Sequence, residues 1–62
     1  MTHMEKARDY AAQARMCNRT YLRLRAADAP QLARAARDAR ASNMGMARYW
    51  AGRAAAMRGV TV

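Results

Sequence analysis

Asp28-Ala29-Pro30-Gln31 contains the only proline of the chain, and its reading decides the fold. Asp is a preferred helix N-cap, Pro is tolerated in a first turn where its missing N–H has no partner, and Gln31 stands three residues after Asp28. The stretch is therefore expected to start a helix capped by Asp28. Upstream, no Gly or Pro interrupts the chain, and its Ala, Arg, Leu, Met and Gln residues are good helix formers. Thr2-His3-Met4-Glu5 has capping-box spacing, with Thr2 accepting from the Glu5 N–H and Glu5 reaching back. These signals predict helix one over about 3–27, a turn over about 28–29, and helix two over about 30–58. Gly59 is placed to end helix two in a left-handed C-cap, and Val60-Thr61-Val62 reads as a frayed tail. Two long helices joined by so short a connection fold back on each other. The expected fold class is all-α: an antiparallel two-helix hairpin, residues 1–62 forming one helical-hairpin domain.

The apolar pattern supports two facing seams. Met4, Ala7, Tyr10, Ala11, Ala14, Cys17, Tyr21 and Leu24 step by three and four along helix one. On helix two the same stepping selects Leu32, Ala36, Ala39, Asn43, Met46, Trp50 and Met57, with the single Trp as the expected core residue. Folding the chain back near Ala29 makes facing residue numbers sum to about 60. Trp50 then faces Tyr10 and Ala11, Met46 faces Ala14, and Asn43 faces Cys17 and Asn18. An Asn43–Asn18 pair is expected to fix the register, because an unpaired buried amide costs about 1–3 kcal/mol.

A chain of 62 residues buries little surface alone. Pairing of two hairpins into a four-helix bundle is expected, with Tyr21, Leu24, Cys17, Tyr49, Met16 and Leu22 as the candidate dimer surface. Gly45, Gly52 and Gly59 recur every seven residues, and that edge is expected to admit a second backbone closely. In size, chain reversal and expected pairing the sequence resembles the Rop-type helical hairpins, which dimerise and bind pairs of RNAs. The resemblance is one of architecture, and no binding residue is carried over from it.

Charge points to the kind of partner. The formal net charge is +8, from twelve basic residues against Glu5, Asp9, Asp28 and Asp38, which favours a polyanion or an acidic protein. Eleven of the twelve are Arg, the side chain suited to bidentate phosphate or carboxylate contacts, although a GC-rich genome also supplies Arg freely. Arg8, Arg15, Arg19 and Arg23 form a ridge on helix one, and Arg34, Arg37, Arg40 and Arg48 form another on helix two. A solvated face would mix in acids for i,i+4 pairs, and few acids are available. The expected function is non-enzymatic binding of a nucleic-acid phosphate backbone by these ridges. The alternative is a phage- or mobile-element-type adaptor or inhibitor that docks on an acidic host protein through a helix face or the Tyr49/Met44 edge.

Other classes find less support. There is no Ser/His/Asp or Cys/His set and no glycine-rich phosphate loop, so no enzyme and no cofactor is expected. His3 is the only His and Cys17 the only Cys, so neither an intrachain zinc site nor an internal disulfide can form. Two long helices do not make a helix-turn-helix reader, so any nucleic-acid contact should follow backbone and shape. No apolar run suits a membrane span or a signal peptide, and the mostly alanine apolar face suits a membrane surface poorly. A cytoplasmic location is expected.

Overall fold

A computed structural model describes residues 2–60. It consists of α1 (His3–Ala26) and α2 (Pro30–Val60), packed along each other as a hairpin. The rod measures 52 × 14 × 13 Å. α1 starts as its sequence predicts: Thr2 is the N-cap, and its Oγ1 accepts from the Glu5 N–H at 3.1 Å.

The reversal differs in one residue's role. The Asp28 N–H donates to the Arg25 carbonyl at 3.1 Å, and the Ala29 N–H donates to the Leu24 carbonyl at 2.9 Å. This pair of bonds is a Schellman closure with Asp28 in the left-handed position at φ 58°. Asp28 thus ends α1 and does not cap α2. The N-cap of α2 is Ala29, whose carbonyl accepts from the Ala33 N–H at 2.9 Å. Both roles follow from local chemistry. Pro30 pushes the preceding residue out of helical conformation, as an N-cap requires, and Asp is one of the few side chains that tolerate a left-handed backbone. At the other end α2 runs through Gly59 to Val60, two residues beyond the expected stop, and no described glycine has positive φ. Thr61 and Val62, the remainder of the expected tail, lie outside the described residues.

Among the described residues the buried ones are all alanines: Ala7 and Ala14 on α1, and Ala33, Ala47 and Ala54 on α2. Their separations are multiples of seven, which keeps a small side chain at the contact line turn after turn. Tyr10, Cys17, Tyr21 and Leu24 flank this line on α1, half-buried as expected. The seam of α2 is rotated from the expected one. Ala36, Asn43 and Trp50 belong to it, but Ala39 is exposed and Leu32, Met46 and Met57 are 61%, 37% and 55% exposed. Amphipathic stepping weights bulky apolar residues, whereas closely packed helices select the smallest side chains for the line between them.

The fold-back register is visible at one bond. Asn43 Nδ2 donates to Cys17 Sγ at 3.6 Å, so the partner of Asn43 is the thiol and not Asn18. Met44, rather than Met46, shares a groove with Ala14. Trp50 is half-buried: its ring stands 5.2 Å from His3, with Lys6 Nζ 4.2 Å from its centroid and Tyr49 edge-on at 5.0 Å. Its Nε1 is buried and makes no hydrogen bond among the described residues. A Cβ on Gly45 or Gly52 would meet nothing within 4 Å, so the glycine edge admits no second backbone within the hairpin.

Candidate nucleic-acid interface

The arginines of the two helices converge. In an antiparallel pair the two helices share two flanks, and residues on a common flank meet across a shallow groove. One such groove is lined by Arg15 and Arg19 of α1 and Arg40 of α2, with Asn18 and Met44 beside them and Ala11 and Ala14 as its floor. The neighbouring groove toward the turn is lined by Arg25 of α1 and Arg34 and Arg37 of α2, with Tyr21, Pro30 and Ala33. Arginines from both expected ridges therefore line one surface. Alanines at the contact line hold the helices close enough for guanidinium groups from both to serve the same groove.

Local contacts shape the turn-proximal groove. Arg25 Nη1 donates to the Tyr21 hydroxyl at 3.3 Å, and its guanidinium carbon lies 5.7 Å from the centre of that ring. Such an arrangement keeps the charge over an aromatic face while leaving its other N–H groups open to an acceptor. Among the described residues no carboxylate lines either groove. Glu5 lies in the first turn of α1, Asp28 in the reversal, and Asp9 in a separate groove with Lys6 and Trp50. Asp38 Oδ1 stands 3.9 Å from Arg37 Nε, with both side chains well exposed, a pair worth about 0–1 kcal/mol. Arg15, Arg19, Arg34 and Arg40 have no ion pair among the described residues.

The expected site residues divide accordingly. Arg15, Arg19, Arg34, Arg37 and Arg40 are brought together. Arg8 and Arg48 are exposed outside the two grooves, although their spacing from Arg15 and Arg34 places them on the same flank. Arg23 is exposed seven residues after Met16 and belongs to the other flank. Arg25, Asn18 and Tyr21 were missed. The fold-back sum held the signal, since it sets Arg25 against Arg34 and Arg19 against Arg40, whereas separate helical wheels cannot show which ridges meet.

Among the described residues no group of three metal-ligating side chains occurs, and no helix is long and apolar enough to cross a membrane. No protein-family model, curated protein or solved structure matches this chain, so its site is read from its own residues.

Proposed function

We propose that the arginine-lined flank binds the phosphate backbone of nucleic acid, and that the protein acts as a non-enzymatic accessory in a dimeric four-helix bundle. The observation that carries the reading is the convergence of six arginines from both helices on two adjacent grooves without a lining carboxylate. From Arg15 to Arg25 the surface follows about 15 Å of helix axis, a length over which duplex DNA presents roughly nine phosphates. Like charges held this close repel one another, and a bound polyanion relieves the repulsion while releasing its own counterions. The grooves are shallow and lined by backbone-seeking side chains, so recognition is of charge and shape rather than base sequence.

The test is a titration against duplex DNA, single-stranded DNA and structured RNA at two salt concentrations. Binding should weaken by orders of magnitude between low and moderate salt. In Arg19→Ala/Arg40→Ala the slope of log affinity against log salt should fall by about 0.9 for each phosphate contact removed. Arg23→Ala, on the other flank, should leave the slope unchanged. Absence of binding to all three at low salt overturns the reading and directs the search to an acidic protein partner.

A further inference from the structure

The flank opposite the arginines has the reverse character. A groove there is lined by Gln13, Met16, Cys17, Thr20, Ala36 and Asn43, with no charged side chain. Beside it on α2, Leu32, Ala39 and Met46 recur every seven residues and are all exposed, and Tyr49 lies three beyond Met46. The apolar stripe of α2 is thus wider than α1 covers, and the uncovered part lies on one side. In a four-helix bundle each apolar stripe points between two neighbours, toward the bundle centre. A hairpin alone supplies only one of those neighbours to α2.

We infer that a second copy of this chain docks on the flank formed by Met16, Leu32, Met46 and Tyr49. Three observations select that occupant. The hairpin exposes 4906 Å², against about 4,000 Å² for a compact monomer of its mass, and the excess of about 900 Å² slightly exceeds the ~800 Å² per partner of a standard interface. Among the described residues its buried core contains no side chain larger than Ala, which is little burial for a chain of 62 residues. Charge settles the choice of side: each chain carries +8, so arginine flanks repel each other. The docking flank carries few charges: Lys6, Asp9 and Arg53 at the end opposite the turn, where Arg53 lies 5.9 Å from the Tyr49 ring, and Arg23 toward the turn. The interface expected from the sequence is thereby divided, with Met16, Cys17 and Tyr49 on this flank and Tyr21 among the arginines.

This inference rests on the dimer of the proposed function and names its interface, but it stands apart from nucleic-acid binding and is tested without it, by the mass of the full chain in solution as a function of concentration. The wild-type protein should be a dimer. Leu32→Glu/Met46→Glu should dissociate where the wild type is paired, while Leu22→Glu, an exposed apolar residue of α1 off this flank, should remain dimeric. Because a dissociated hairpin has little core of its own, a cross-linking pair covers the case of unfolding. Met46 lies near the middle of the rod, so two-fold copies packed on this flank bring their Met46 positions together whether the hairpins run parallel or antiparallel. Cys17→Ser/Met46→Cys should cross-link between copies with a short bismaleimide, and Cys17→Ser/Leu22→Cys should not. A monomeric wild type, a dimer indifferent to Leu32→Glu/Met46→Glu, or preferential cross-linking at Leu22 overturns the assignment.

Discussion

At the scale of single residues, Trp50 shows how a side chain's size and its energetic role can separate. It is the largest apolar group of the chain, yet it is half-buried at the edge of the contact line, covered by His3, Lys6 and Tyr49. Fully buried Trp→Ala changes cost about 3–5 kcal/mol; the partly covered ring of Trp50 should cost less. Urea unfolding of Trp50→Ala should show a loss of about 2 kcal/mol. Ala14→Leu, by contrast, inserts bulk where α1 and α2 touch and should cost about 1–3 kcal/mol. A Trp50 variant more destabilised than Ala14→Leu would mean that the aromatic cluster, and not the alanine line, holds the helices together.

Among the elements, the reversal and the outer edge of α2 give opposing tests of what sequence signals mean. Asp28 occupies a left-handed position, so Asp28→Gly should be as stable as wild type or gain up to about 1 kcal/mol. Asp28→Ser should lose stability, because Ser tolerates that backbone less well. If Asp28 capped α2 the order would reverse, since Ser matches Asp as a cap and Gly falls below it. Thermal melts of the two variants decide between these roles. On the edge of α2, Gly45 and Gly52 have open space where a Cβ would stand. Gly45→Ala and Gly52→Ala should each stabilise the protein by about 0.5–1 kcal/mol through the helix propensity of Ala. A destabilising result would place a second backbone against that edge in the assembled protein.

Taken whole, the molecule is a two-sided rod, with arginine-lined grooves on one flank and a groove free of charged side chains on the other. On the proposed pairing, two copies joined through the flank bearing Met46 carry their arginine grooves outward on opposite sides, and the proposal then expects one bundle to bridge two nucleic-acid segments. Mixing donor- and acceptor-labelled duplexes with wild-type protein should produce energy transfer between them. Leu32→Glu/Met46→Glu should bind one duplex and give no transfer. Transfer that persists in that variant would show that bridging does not need this interface.

The sequence by itself determined what depends on neighbours along the chain. The Thr2 cap, the unbroken helical run that follows, the interruption before Pro30 and the hairpin register are all decided by local backbone chemistry and loop length, and each was legible. The seam of α1 was legible for a related reason, because its alanines and larger apolar residues share one stripe. The rest belonged to the tertiary structure. Which residues of α2 face α1 was decided by how closely the helices approach, a property of the pair that put Ala33, Ala47 and Ala54 inside and left Leu32 and Met46 out. The same pairing brought arginines of both ridges onto one surface, left Arg23 on the other flank and recruited Arg25, because a groove between helices exists only once both are in place.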